Sequence, residues 1–245
     1  MINIRDVSKS YQKGKKAVDA LSLNVLPGRI VGFLGPNGAG KTTTIKMITG
    51  IIEPDEGDIK VCGKDIVIDP IGAKMKFGYV PDSPDVFLRL KGLEYLNFIA
   101  SIYRIPEKQK KNRILELAGK LEILDALNGR MQSYSHGMRQ KLVLTASLMH
   151  DPPVWILDEP LTGLDPKSSF ILKEMMRDHA GNGGTIFFST HVLDVAEKIC
   201  DEAAVINKGR LLFFGPLEEM RKKTGGDSNE SLERIFLEMT EESQL

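Results

Sequence analysis

The run Gly35-Pro36-Asn37-Gly38-Ala39-Gly40-Lys41-Thr42 has the spacing GxxxxGKT, with Thr43 directly behind it. Glycines at this spacing let successive backbone N–H groups curl around a phosphate, and a helix beginning at the lysine adds the positive end of its dipole. In that setting Lys41 reaches the terminal phosphates of a nucleotide and the Thr42 hydroxyl holds Mg²⁺. A second constellation follows far along the chain, where the apolar run Val154-Trp155-Ile156-Leu157 ends in Asp158-Glu159. A buried strand that ends in adjacent acids suits a metal ligand at its edge, Asp158, bound directly or through water. Glu159 is then placed to polarise a water for attack on a γ-phosphate, as general base or water-orienter. The plain alternatives are a glycine-rich turn with an incidental lysine, and a strand end with solvated acids before a turn at Pro160. A strand ahead of the glycines, a helix after them, and both constellations in one chain favour the phosphate reading.

Those groups need elements to hold them. Ile2, Ile4 and Val7 open one strand, residues 18–25 alternate apolar with polar, and Pro27-Gly28 precedes the nearly all-apolar 29–34, a strand covered on both faces. A helix is expected from about Lys41 to Gly50, a turn at 53–57, and strands at 58–62 and 77–80. From about Pro84 to His150 the pattern turns helical, with Ile114, Leu117, Leu121 and Leu124 at three- and four-residue steps. Strands at 154–157, 185–188 and 203–206 then alternate with helices from Lys167 and Val192, the rhythm of βαβ units around a parallel sheet. The expected organisation is one α/β domain: a core of residues 1–83 and 151–215, a helical insertion at 84–150, and a short helical tail at 216–245. In that tail Leu232, Ile235, Phe236 and Met239 share one apolar face.

Composition agrees with a single globular domain: 245 residues, 42% hydrophobic and 27% charged. A chain of this length buries roughly 70–75% of its unfolded surface and needs no disulfide or metal staple. Cys62 and Cys200 fit no ligand spacing, so a reducing compartment and two small buried apolar side chains are expected. No stretch of eighteen residues lacks a charge and the first residues form no apolar signal core, so the chain is expected neither to span nor to cross a membrane unaided. Thirty-three Lys and Arg balance thirty-three Asp and Glu. Zero net charge argues against a nucleic-acid partner bound through phosphates.

Tyr134-Ser135-His136-Gly137-Met138 stands at a helix start just before the Asp-Glu strand, followed by Arg139-Gln140-Lys141. With the motifs in this order, the whole chain resembles the ATP-binding subunit of an ABC transporter, whose signature is usually written LSGGQ. Ser135 and Gly137 match; Tyr134, His136 and Met138 depart from it. The resemblance implies a P-loop NTPase core, an α/β fold with a RecA-like mostly parallel sheet, an N-terminal antiparallel β subdomain and an inserted α-helical subdomain. It also implies ATP and Mg²⁺, ATP hydrolysis, and a homodimer or paired ATPase subunit in which the signature of each chain closes on the nucleotide held by the other. Physically, Ser135 can cap its helix and Gly137 permits close backbone approach at the positive end, though an ordinary N-capped helix would look the same.

Further roles come from the resemblance. Leu161-Thr162-Gly163-Leu164-Asp165-Pro166 is similar to the D-loop at the dimer interface, with Asp165 also fit to cap the next helix. His191, in Ser189-Thr190-His191, matches the switch histidine that donates to the γ-phosphate and helps orient Glu159. Tyr11 stands where the family carries an aromatic that stacks on adenine. Asp82 follows Gly78-Tyr79-Val80-Pro81, where most relatives place a metal-touching glutamine; it keeps the oxygen acceptor, loses the amide donor, and equally suits a turn at Pro81-Asp82-Ser83-Pro84. Residues 84–103 would form the groove for a membrane permease, with Phe87, Leu90, Leu93, Tyr95, Leu96 and Phe98 supplying apolar surface and some core. A GTPase would want Asn-Lys-x-Asp, and Asn207-Lys208-Gly209-Arg210 lacks the aspartate. A soluble ABC-type ATPase of iron–sulfur assembly stands as the alternative, while Glu159 and His191 disfavour a pure binding module. Met138, Asp82 and a tail of about thirty residues after Gly215 resemble exporter ATPases, placing the chain on the cytoplasmic side of the cell membrane, held by its permease.

Overall fold

The computed structural model describes residues 1–12, 14–223 and 232–242. Alternating apolar residues build its first layer. β1 (Ile2–Gln12) pairs antiparallel with β2 (Lys15–Val25), setting Ile2 opposite Val25 and Ile4 opposite Leu23. The chain then runs through β3 (Ile30–Leu34) and α1 (Lys41–Ile48) before β4 (Glu56–Val61) and β5 (Lys64–Asp65) complete a sheet of order β2-β1-β4-β5. Next come α2 (Pro70–Lys74), whose first turn is capped by the Asp69 carboxylate, and β6 (Phe77–Val80).

Three longer helices form the insertion: α3 (Gly92–Ile102), α4 (Glu107–Lys120) and α5 (His136–Ser147). Their apolar faces meet in a cluster of their own, with Leu96 from α3, Ile114 and Ala118 from α4, and Leu142 and Ala146 from α5. A fully buried leucine such as Leu96 or Leu142 contributes about 2 kcal/mol, and truncating it to alanine would cost about 2–5 kcal/mol.

The chain returns to the core through β7 (Val154–Asp158), α6 (Pro166–Gly181), β8 (Thr185–Thr190), α7 (Leu193–Ile199), β9 (Glu202–Asn207) and β10 (Arg210–Pro216). The six-stranded sheet has the order β10-β9-β3-β8-β7-β6, parallel throughout except for the β9–β10 hairpin. Both faces are covered, which is why its strands read as unbroken apolar runs. Val31, Phe33, Ile156 and Phe187 pack toward α1 and the antiparallel sheet, whereas Ile30, Trp155, Leu157 and Phe188 pack with residues of α4, α5 and α6.

Several local expectations shift. β5, α2 and β10 are additional to the elements expected from the pattern, and β2 begins at Lys15, ahead of its alternating stretch. Cys62 and Cys200 are half-buried rather than fully enclosed. The tail forms α8 (Leu217–Lys223) and α9 (Leu232–Glu242), its residues 224–231 and 243–245 lying outside the described ones. Leu232 and Ile235 pack beside Leu34, Val205 and Phe213, so it closes one edge of the core. Among the described residues no helix is long and apolar enough to cross a membrane.

Candidate nucleotide and metal site

Strand order assembles the site. β3, β8 and β7 are neighbours and run parallel, so the loop after β3, His191 after β8, and Asp158-Glu159 at the end of β7 emerge at one edge of the sheet. That edge, outside the carboxyl ends of the strands, is where open α/β sheets hold ligands. The loop needs glycine for two separate reasons. A Cβ on Gly35 would lie 2.5 Å from the Ile206 carbonyl oxygen, and Gly40 combines φ 111° with a Cβ position 2.6 Å from the Ala17 oxygen. Gly40 is also the N-cap of α1 and offers no side chain to its first turn, leaving that positive end to a ligand.

Lys41 is only 6% exposed. Its ammonium donates to the Gly35 carbonyl at 2.7 Å and the Pro36 carbonyl at 3.3 Å, and lies 3.7 Å from Glu159 Oε1. Around it opens a recess of about 240 Å³ whose walls include Asn37, Gly38, Thr42, Thr43, Asp82 and Glu159. A second recess of about 730 Å³ is lined by Tyr11, Gln12, Lys15, Lys16 and Lys208, and it shares Ala17 and Gly38 with the first. Through those two residues the recesses adjoin. Tyr11 is 61% exposed, with its hydroxyl 3.5 Å from Thr43 Oγ1, so its ring face is accessible.

Asp158 is wholly buried at the end of β7. Its Oδ1 accepts the Ser189 hydroxyl, while Oδ2 has no hydrogen-bond partner among the described residues. Burial pushes its pKa above the ordinary carboxylate value; the Ser189 and Thr42 hydroxyls oppose that shift, and the charges of Asp82 and Glu159 add to it. A buried carboxylate oxygen without a partner is costly unless something positive meets it. The donors present, a carboxylate and the Thr42 hydroxyl with Asp82 nearby, are hard oxygens that fit Mg²⁺. Among the described residues no cluster of three His, Cys, Asp or Glu side chains could hold a metal by itself.

Glu159 occupies a left-handed backbone conformation, φ 47°, that costs a non-glycine residue on the order of 1 kcal/mol. Its N–H donates to Ser189 Oγ at 2.9 Å and its carbonyl accepts the Thr162 N–H at 3.1 Å. The carboxylate is thereby suspended between Lys41 and His191, whose Nδ1 is 3.0 Å from Glu159 Oε2. The turn bearing His191 is set by the Val192 N–H donating to Thr190 Oγ1 at 3.0 Å.

Other expected residues stand apart. Ser135 caps α5 by accepting the Met138 N–H at 3.2 Å, and Met138 packs partly against the α3–α5 cluster. Neither recess is lined by Ser135, Gly137 or Met138. Gly137 instead approaches the loop after Glu159, where a Cβ would lie 2.9 Å from the Gly163 oxygen. Asp165 caps α6 through the Ser168 N–H at 2.9 Å, and the Ser168 hydroxyl beside it holds its pKa down to about 2. Ala39 turns inward, its amide donating to Pro36 and its methyl in the core. In the 84–103 segment Tyr95 and Leu96 belong to the core, whereas Phe87 and Phe98 are exposed, 5.4 Å apart edge to face. Residues given no role from the sequence also matter: Ser189, a hydroxyl near the end of an apolar strand; Gln140, buried against the Pro160 carbonyl; and Ala17 and Lys208, whose place beside the loop arises only from the fold.

Known proteins share these features. A family profile described as "ABC transporter" matches residues 18–162. The chain is 35% identical over 241 residues to the ABC transporter ATP-binding protein NatA of Bacillus subtilis (strain 168), covering 97% of each. It is 34% identical over 244 residues to the daunorubicin resistance ATP-binding protein DrrA3 of Streptomyces coeruleorubidus, covering 100% of this chain and 75% of that one. A solved structure of an ATP binding subunit of an ABC transporter superposes with a TM-score of 0.92 at 31% identity, covering 98% of this chain and 99% of the other. The loop, the paired acids and the fold that joins them therefore place this chain in the ABC transporter family, among its ATP-binding subunits.

Proposed function

We propose that this subunit binds MgATP at the loop after β3, hydrolyses it with Glu159 and His191, and uses the cycle to drive a membrane permease. The observation that carries the reading is Glu159, held at the end of β7 between Lys41 and His191. The backbone of residues 35–43 and the Lys41 ammonium bind and orient the triphosphate, and Tyr11 stacks on the base. Thr42 and Asp158, with Asp82 beside them, would hold Mg²⁺, which when bound neutralises charge on the β- and γ-phosphates. Glu159 orients a water and takes its proton, while His191 steadies the carboxylate and donates toward the γ-phosphate.

Ser135 and Gly137 lie outside both recesses of their own chain, which supports a site completed by a second copy or paired subunit. The exposed pair Phe87 and Phe98 supports docking of a permease segment near residues 84–103, with the chain peripheral on the cytoplasmic side. The likeness to a daunorubicin resistance protein supports export. The test is Mg²⁺-dependent phosphate release by the purified chain, beside Glu159→Gln, together with affinity purification from detergent-solubilised membranes. Rapid release by the parent only, and recovery of a multi-span protein, are expected. Equal release by both, or recovery of soluble partners alone, would overturn the reading.

A further inference from the structure

Gln140 sits in the second turn of α5, 1% exposed. Its Nε2 donates to the Pro160 carbonyl at 3.1 Å, a bond enclosed by protein, and its Oε1 has no partner among the described residues. A buried amide satisfied at only one end costs stability relative to an apolar side chain, so its place here calls for a reason beyond packing. The carbonyl it grips belongs to the residue directly after Glu159.

The backbone around Glu159 is pinned at three points. Its N–H is tied to Ser189 Oγ, its carbonyl accepts the Thr162 N–H, and the next carbonyl is tied to Gln140. Proline fixes its own φ, so holding the Pro160 carbonyl fixes the remaining torsion of that residue. The left-handed conformation at Glu159 persists only if its surroundings over-determine it. Ser189 and Thr162 act from β8 and from within the turn itself. Gln140 is the tie that reaches in from the helical insertion.

We propose that Gln140 is a positioning residue for Glu159: its amide, by holding the Pro160 carbonyl, sets the backbone from which the Glu159 carboxylate meets Lys41 and His191. This rests on the reading of Glu159 as the water-orienting group. The same bond has a second consequence. α5 begins at the Ser135 cap, so Gln140 joins the residue acting on this chain's own nucleotide to the segment offered to a partner's nucleotide. The close approach of Gly137 to the Gly163 oxygen braces the same joint.

The test uses the purified full chain and two substitutions. Gln140→Met keeps the volume and lacks a donor; Gln140→Glu keeps the size and donates only when protonated. For Gln140→Met, kcat should fall about ten- to a hundredfold, as for a misplaced reacting group, while the MgATP dissociation constant stays within about twofold. In a Glu159→Gln background it should lower the residual single-turnover rate no further, because it acts through Glu159. Gln140→Glu should regain activity relative to the parent as pH falls and its carboxyl takes up a proton. Parental kcat in Gln140→Met, equal loss of affinity and kcat, or the same fold loss in the Glu159→Gln background would overturn the proposal. If Gln140→Met does not fold, the pH profile of Gln140→Glu decides, and a flat profile overturns it. A Glu159→Gln chain as active as the parent would instead remove the reading of Glu159, so the two failures are distinguishable.

Discussion

Lys41→Ala tests the phosphate loop where its energetics are most legible. In the folded chain the ammonium donates at 2.7 and 3.3 Å to the Gly35 and Pro36 carbonyls and lies 3.7 Å from Glu159. Nucleotide binding exchanges neutral carbonyl acceptors for charged phosphate oxygens. Both present bonds are already charge-assisted by the ammonium, so the gain on binding is the added Coulomb attraction to an ionised acceptor, about 3 kcal/mol for unit charges about 5 Å apart at an effective dielectric constant of about 20. That is roughly a hundredfold in dissociation constant. The fold itself should survive, because the core around α1 is apolar and Glu159 keeps His191 at 3.0 Å. The assay is calorimetric titration of MgATP into parent and variant, with thermal unfolding as a control. A dissociation constant within threefold of the parent, in a folded variant that still releases phosphate at the parental rate, would refute the assignment.

Asp158→Asn should separate stability from metal use. Burial raises the Asp158 pKa above 3.8, so just above that pH the folded chain holds a proton the unfolded chain releases, and stability falls as pH rises through the window. The asparagine variant should melt higher than the parent at neutral pH without Mg²⁺, yet bind MgATP at least about tenfold more weakly; a lower melting temperature with unchanged binding would contradict this. His150 presents the opposite sign. It stacks on Tyr103 at 3.6 Å, and burial lowers its pKa from 6.5 to about 4. The unfolded chain takes up that proton first, so stability should drop as pH falls across the interval, by on the order of 3 kcal/mol at most. His150→Phe, which keeps the stack, should flatten this dependence in urea titrations; an unchanged slope would assign it elsewhere. His191→Ala should lower kcat about ten- to a hundredfold with little change in MgATP affinity, and equal loss of both would make His191 structural.

Much of the site was legible because its chemistry is local. Seven of the eight residues from Gly35 to Thr42 serve one turn between a strand and a helix, Ala39 being the one that packs inward, and Asp158-Glu159 needed only an apolar strand ahead of them. What escaped depends on tertiary placement. Ser189 reads as the polar end of a strand until β7 and β8 pair and set it beside Asp158. Gln140 reads as one more polar residue of a helix start, and its burial follows only when α5 packs against the turn at Pro160. The short elements β5 and α2 carry too few residues to show a period. The tail showed its apolar stripe but not its seat, because that seat joins Leu34 from a strand distant in sequence to Val205 and Phe213 and exists only once β3, β9 and β10 pair.

The central claim is that each chain holds half of a nucleotide site and a second chain supplies Ser135 and Gly137. It is tested most directly by light scattering on a sizing column with Glu159→Gln, with and without MgATP. The account predicts a monomer without nucleotide and, with MgATP, a dimer retaining one ATP per chain, abolished by the further change Lys41→Ala. A Glu159→Gln chain that binds MgATP and remains monomeric at every concentration tested would contradict it.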